Sequence, residues 1–169
     1  DQRYLCADMD AVPDASTVAD PGVRRAEPAD VEALATLAVR LHIDDGFGPD
    51  PGEAGRRGYR DRLAVAVRSG TIDVVGPVGR PVAKLERSID HPRYGVQLAG
   101  IVVAPDHRGR GIGRGLVAVA TRTVIAARAE RGLGPPGVTL HTRAANAPAL
   151  VAYAAAGFRV LEPWRLAVA

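Results

Sequence analysis

The sequence is poor in cysteine, in aromatic residues and in long apolar runs, and each shortage excludes a class of protein. Cys6 is the one cysteine among 169 residues, so the chain forms no internal disulfide, and a reducing compartment, the cytoplasm, is expected. Aromatic residues make up 4% of the chain, which argues against a stacking platform for single-stranded nucleic acid. No apolar run approaches the roughly 18 residues of a membrane span. We therefore predict neither a membrane nor a nucleic-acid partner.

Recognisable metal-ligand patterns are lacking as well. His42, His91 and His107 share no ligand spacing with acidic residues or with the cysteine, so no metal site is expected. The net charge of +3 is mild and suits an anionic ligand. The length and the apolar content of 47% favour a single globular domain with a proper core.

One glycine-rich stretch stands out. Residues 105–115 read PDHRGRGIGRG and lie between a strand predicted at 96–104 and a helix predicted at 116–131. Glycines let consecutive backbone N–H groups approach a ligand, and a helix N-terminus adds the positive end of its dipole. Three arginines add positive charge. The stretch therefore predicts a loop that binds phosphate or pyrophosphate.

Three known loop patterns compete for this stretch. A nucleotide-triphosphate loop needs a Gly-Lys pair, which the stretch lacks. A dinucleotide pattern matches at Gly113, Gly115 and Ala118, but no strand with a ribose-binding acid follows at the right distance. The third pattern, R-x-x-G-x-G, is matched by Arg108, Gly111 and Gly113. A basic turn or a nucleic-acid patch is the alternative interpretation.

A second motif lies in the C-terminal part of the chain. Asn146 is a good helix N-cap, Tyr153 follows on the same helix face, and Gly157-Phe158 ends the helix. The two motifs, in this order and spacing, resemble the GCN5-related N-acetyltransferase (GNAT) superfamily. The resemblance covers roughly residues 23–169.

The resemblance implies an acyl-CoA-dependent enzyme that transfers an acetyl group from acetyl-CoA to a primary amine by direct attack. The acceptor stays open among a protein N-terminus, a lysine and a small-molecule amine, and a homodimer is one assembly left open. The implied fold is a single α/β domain whose mixed, mostly antiparallel sheet splays at the central strand, with helices on both faces. The alternative is a catalytically degenerate domain that binds acetyl-CoA as a regulatory module.

The superfamily places the thioester beside the central strand and the pyrophosphate in the glycine loop. The resemblance therefore assigns acetyl-CoA binding to Ile101, Val102, Val103, Arg108, Gly109, Arg110, Gly111, Ile112, Gly113, Arg114, Asn146 and Tyr153.

Three residues are candidates for the chemistry. Tyr153 is the candidate general acid for the leaving thiolate, with a core tyrosine as the alternative. Many family members carry a Glu on the central strand as base, but Gln97 occupies that place here and can only orient a water. His141 is the candidate base, because an imidazole with a pKa of about 6.5 can accept a proton at neutral pH. A half-buried histidine in a sheet is the alternative.

The rest of the chain divides into a tail and alternating elements. Residues 1–22 are rich in Asp and are predicted to be an N-terminal tail or linker to a domain at 23–169. The pattern predicts further helices that start at residue 28 and at Asn146 and one at 57–69, further strands at 23–26, 71–75, 81–88 and 138–142, and a closing antiparallel pair of 160–161 with 164–168.

Overall fold

The protein is described by a computed structural model that covers residues 2–7, 18–91, 95–134 and 137–164. Within these ranges the strands are β1 (Gln2–Ala7), β2 (Val23–Arg25), β3 (Ile72–Val75), β4 (Ala83–Arg87), β5 (Val96–Val103), β6 (Val138–Arg143) and β7 (Phe158–Trp164). The α-helices are α1 (Val31–Asp44), α2 (Gly52–Arg68), α3 (Ile112–Glu130) and α4 (Ala147–Ala154).

The strands form one seven-stranded sheet in the order β2-β3-β4-β5-β6-β1-β7. Strands β5 and β6 are parallel, with Val96–Leu98 opposite Val138–Leu140. The pairs β2–β3, β3–β4, β1–β6 and β1–β7 are antiparallel. The predicted single α/β domain with a mixed, mostly antiparallel sheet is confirmed.

Backbone contacts divide the chain into two compact units, each described here by itself. The first unit comprises residues 21–86 and 100–116, and the second comprises residues 1–20, 87–99 and 117–169. In the first unit, helices α1 and α2 pack together over β3, and their shared core includes Leu34, Leu63 and Ile72. In the second unit, Leu98 of β5 and Leu140 of β6 are buried. No helix in the described ranges has the length and apolar character needed to cross a bilayer.

Both ends of the chain differ from the predictions. The tail expected over residues 1–22 contains strand β1, which pairs with both β6 and β7. This segment forms a strand because alternate side chains are buried: Leu5 and Ala7 are 1% and 5% exposed. The alternation is too short to stand out in the sequence. The predicted closing pair of 160–161 with 164–168 is wrong, because one strand, β7, runs through Trp164 and pairs with β1. Residues 165–168 lie outside the described residues.

Two helices begin earlier than predicted. Helix α2 begins at Gly52 rather than at residue 57, and α3 begins at Ile112 rather than at residue 116. Glycine lowers helix propensity in both segments, which hid their first turns in the sequence pattern. The consequence for α3 is that the last two glycines of the loop, Gly113 and Gly115, lie inside its first turn.

Candidate active site

The glycine-rich loop belongs to the first unit and has an open backbone. A short 3-10 turn at Pro105–His107 leads into it, and α3 follows. Gly109 and Gly111 adopt φ values of +74° and +77°, a region that side chains other than glycine rarely occupy. A Cβ atom added at either position would have no atom within 4 Å. A ligand therefore has room to approach this backbone directly.

The N-terminus of α3 completes this cradle. The amide of Gly115 donates to the Gly111 carbonyl at 2.9 Å, which starts the helical hydrogen bonding. The amides of Ile112, Gly113 and Arg114 are then among those that an α-helix leaves without an intrahelical acceptor. A Cβ at Gly113 would lie 3.4 Å from Cγ2 of Val103, so glycine permits close packing of the helix on β5. Open backbone donors at the positive end of a helix dipole fit a pyrophosphate.

Arg108 is held by the protein itself. Its Nε donates to the Val103 carbonyl at 3.0 Å, and its Nη2 lies 2.7 Å from Oδ2 of Asp44. Arg40 also pairs with Asp44, at 3.0 Å. Burial works to raise the pKa of Asp44, but the two guanidinium groups hold that pKa below its usual range. The sequence assigned Arg108 to the cofactor, whereas here its guanidinium connects the loop to the end of α1 and to β5.

The other predicted binding residues of the first unit lie at the end of β5 and in the loop. Val102 is 5% exposed, whereas Ile101 and Val103 are half-buried. The Ala104 amide, just beyond β5, donates to the Val82 carbonyl at 2.8 Å. The side chains of Arg110 and Arg114 are exposed. The end of β5, the loop and the first turn of α3 follow one another directly along the chain, and all three belong to the first unit.

The second unit brings Gln97 and His141 into direct contact. Gln97 lies on β5, and the side-chain amide nitrogen Nε2 is 2.8 Å from Nδ1 of His141 on β6. The parallel register places Gln97 opposite Thr139, two residues before His141, so all three lie on one face of the sheet. The backbone of Gln97 is also held in place: its N–H donates to the hydroxyl of Ser88, the residue after β4, at 2.9 Å.

This contact sets the state of the imidazole. With the Gln97 amide donating to Nδ1, the neutral ring carries its hydrogen on Nε2. Burial lowers the pKa of His141 below its ordinary value, because the charged form loses hydration. The lowered pKa favours the neutral imidazole, and in this arrangement the ring accepts a further proton only after the Gln97 amide turns its oxygen toward Nδ1 and the ring hydrogen moves there.

Asn146 and Tyr153 lie at the two ends of α4. The Asn146 side-chain oxygen accepts a hydrogen bond from the Ala149 amide at 3.3 Å, so the predicted N-cap is confirmed. Tyr153 is 8% exposed, and its ring centroid lies 6.3 Å from that of Phe158. Helix α4 ends at Ala154 with Ala155 as its C-cap, so Gly157, at φ +90°, lies three residues beyond the helix and does not end it as predicted.

The sequence interpretation missed one charged cluster of the first unit. Lys84 and Glu86 lie on β4, Arg62 on α2 and Gly100 on β5, and they share a chain of hydrogen bonds. Two signals were available: a Lys-x-Glu pair places both charges on one face of a strand, and a glycine inside a strand marks a bend. Among the described residues, no three His, Cys, Asp or Glu side chains lie together as a metal site would require.

Comparison with known proteins identifies the family. Residues 56–160, well over half of the 169-residue chain, match the model of the acetyltransferase (GNAT) domain. The chain therefore belongs to the GNAT acetyltransferase family, and the predicted family is confirmed. No curated protein sequence matches it.

Solved structures share the fold. An acetyltransferase of the GNAT family from Colwellia psychrerythraea superposes with a TM-score of 0.68 at 17% identity, over 94% of this chain and 52% of that one. This chain thus spans about half the length of that protein. A GCN5-related N-acetyltransferase from Ralstonia eutropha gives a TM-score of 0.60 at 24% identity, with 86% and 97% of the two chains covered. A structure from Clostridium acetobutylicum, described as a predicted acetyltransferase with acetyl-CoA, gives 0.61 at 17% identity, with 87% and 95% covered.

Proposed function

We propose that the protein transfers an acetyl group from acetyl-CoA to a primary amine by direct attack. The observation that carries the proposal is the open cradle formed by Gly109, Gly111 and the first turn of α3. Such a cradle fits the pyrophosphate of coenzyme A. The acetyl-CoA of the Clostridium structure supports the choice of ligand.

Acetyl-CoA supplies the acyl group as a thioester, and the residues of this chain bind it and move protons. Backbone amides of Gly109–Arg114 hold the pyrophosphate, with Arg110 and Arg114 adding positive charge. Backbone groups of Ile101–Val103 hold the pantetheine arm and the acyl carbonyl. Asn146 contributes to binding of coenzyme A besides capping α4.

Proton transfer is assigned to two side chains of the second unit. When the Gln97 amide turns its oxygen to accept from a hydrogen on Nδ1, Nε2 of His141 accepts a proton from the attacking amine as the nitrogen–carbon bond forms. Tyr153 donates its phenolic proton to the sulfur as the carbon–sulfur bond breaks. Solvent then returns both side chains to their starting states. The lowered pKa of His141 supports its part, since the ring needs no deprotonation at pH 7.

A screen of acceptors tests the proposal. Acetyl-CoA binding is measured by calorimetry, and release of the free thiol is followed with N-terminal peptides, lysine peptides, polyamines and aminoglycosides. We expect binding, and thiol release with at least one amine together with a matching acetylated product. Failure to bind acetyl-CoA would overturn the proposal.

The same screen decides the second candidate, a degenerate module that binds acetyl-CoA without turnover. The observation that favours it is Gln97, which stands where many family members carry a glutamate base and cannot accept a proton. Tight binding without thiol release for any amine would support this candidate and exclude the transferase.

A further inference from the structure

The charged cluster of the first unit surrounds a buried lysine. Lys84 of β4 is 1% exposed, and its ammonium nitrogen Nζ lies 2.5 Å from Oε1 of Glu86. The other Glu86 oxygen, Oε2, accepts from Nη1 of Arg62 at 2.5 Å. Lys84 also donates to the backbone carbonyl of Gly100 on β5 at 3.0 Å. One buried cation therefore joins a carboxylate to the backbone of the neighbouring strand.

Burial and ion pairing act in opposite directions on the pKa values of the cluster. Burial lowers the pKa of Lys84, while the adjacent Glu86 charge opposes that change. Burial works to raise the pKa of Glu86, but the hydrogen bond from Arg62 and the charge of Lys84 hold that pKa below its usual range. The Glu86 carboxylate thus stays ionised between two cations.

Gly100 is the point at which β5 departs from regular strand geometry. Its φ of +57° lies in the left-handed region. A Cβ at Gly100 would lie 2.6 Å from Oε1 of Glu86 and 2.9 Å from Nζ of Lys84, so the ion pair occupies the place of a side chain. A glycine in a strand interior marks a bend or a close approach, and here Lys84 and Glu86 make the close approach.

We infer that Lys84 is a positioning residue: by holding the Gly100 carbonyl, it sets the course of the adjacent backbone at Ile101–Val103. The inference rests on the proposed function, which assigns that backbone to the acyl end of acetyl-CoA. A displacement of about 1 Å in a positioning group can lower a rate by about 100-fold. The rate of transfer should therefore depend on an ammonium group that touches no substrate.

A purely stabilising role explains the cluster less well. Replacing a buried ion pair with apolar groups of similar size is often neutral or stabilising, because burial removes the hydration of both charges. The specific feature of Lys84 is its bond to one backbone carbonyl at a bend. That bond controls geometry, and it gives the experiment a kinetic readout.

The test compares Lys84→Met with a matched control. Methionine keeps most of the volume and removes the donor, while Arg62 keeps Glu86 paired. We expect kcat for acetyl transfer to fall by about tenfold or more, while the dissociation constant of coenzyme A itself changes by less than about twofold. The control is Arg25→Met, which removes an ion pair to the buried Asp73 between β2 and β3 and should keep the wild-type kcat.

A second variant covers failure of the first to fold, and carbonyl spectroscopy adds a direct signature. Gly100→Ala leaves every charge in place but pushes its Cβ against Lys84 and Glu86, so it should show the same loss of kcat with coenzyme A affinity retained. The ¹³C carbonyl resonance of Gly100 should move upfield in Lys84→Met, as a carbonyl does when it loses a donor.

The outcomes separate the inference from the proposed function. Wild-type kcat in folded Lys84→Met or folded Gly100→Ala would overturn the inference alone. A parallel loss of coenzyme A affinity would also overturn it, because the effect would then be general. Absence of thiol release in the wild type would overturn the proposed function, and the inference with it.

Discussion

The two compact units carry different kinds of candidate site. The unit of residues 21–86 and 100–116 offers open backbone at Gly109 and Gly111, whereas the unit of residues 1–20, 87–99 and 117–169 offers the side chains of His141 and Tyr153. Backbone donors suit an anion that must be held. A half-buried imidazole and a buried phenol suit a proton that must be moved. Changes in the second unit should therefore alter rate and pH dependence, and changes in the loop should alter affinity.

The largest effect should come from Tyr153→Phe. The substitution keeps the ring that packs near Phe158 and removes only the hydroxyl. General-acid catalysis typically contributes about 10²–10⁴-fold, so kcat should fall by about that factor with little change in acetyl-CoA affinity. Steady-state kinetics and calorimetry measure the two quantities. A folded variant with full kcat would make Tyr153 a core residue and nothing more.

Gly111→Glu should produce the next largest effect, now on affinity. The carboxylate would stand where we propose that the pyrophosphate binds, and the dissociation constant of acetyl-CoA should then rise at least about tenfold, or about 1.4 kcal/mol. Gly111→Gln is the matched control, because it has the same size and the same strain at φ +77° without the charge. Equal affinities for the two variants would show that backbone strain, rather than charge, weakens binding.

The backbone geometry of the loop was predictable from the sequence because consecutive residues determine it. Glycine spacing, arginines and the following helix are all visible within 105–115. The Lys84–Gly100 bond was not predictable, because it joins residues 16 apart on different strands. Helix α2 was only partly predictable, because Gly52 and Gly55 in its first turn lower helix propensity.

The catalytic candidates illustrate the same limit. The sequence identified Gln97 and His141 individually, and the parallel register of β5 and β6 places them in contact. Periodicity alone does not determine which strands are neighbours. Only the family resemblance suggested that the strands of Gln97 and His141 lie side by side. Their roles, and that of Tyr153, stay predictions that kinetics must test.

A smaller effect should appear in the pH profile through His141. Its pKa is lowered by burial, so kcat/KM should rise with pH through a group that titrates below the ordinary histidine value of about 6.5. His141→Ala should remove that step, and Gln97→Ala should change it less. The measurement uses two amines of different pKa. An inflection that moves with the amine and survives His141→Ala would exclude His141 as the base.

The free energy of unfolding should also depend on pH through His141, and the direction of that dependence follows from its lowered pKa. The folded state binds the proton on His141 less readily than the unfolded state, so its contribution is complete above the unfolded pKa of about 6.5. The contribution is lost as pH falls through the lower pKa of the folded state. Urea unfolding of wild type and His141→Ala at pH 7.5 and at pH 5 should show a smaller pH dependence in the variant.

The smallest effect should come from the ion pair of Arg108 with Asp44, and it tests whether the loop binds through backbone alone. If Arg108 acts by holding the loop, Arg108→Gln and Asp44→Asn should weaken acetyl-CoA binding by similar amounts, and the double variant should be no weaker than either. The side chains of Arg108 and Asp44 are 47% and 25% exposed, so about 0.2–1 kcal/mol is expected, or up to about fivefold in the dissociation constant. If Arg108 instead contacts the pyrophosphate, Asp44→Asn should leave affinity unchanged or increase it, since the guanidinium loses its competitor.

Asp45→Asn controls for the general loss of one negative charge near the loop. A weakening by Asp45→Asn equal to that by Asp44→Asn would show that the effect does not depend on the pairing with Arg108, because loss of a negative charge alone should strengthen the binding of an anion.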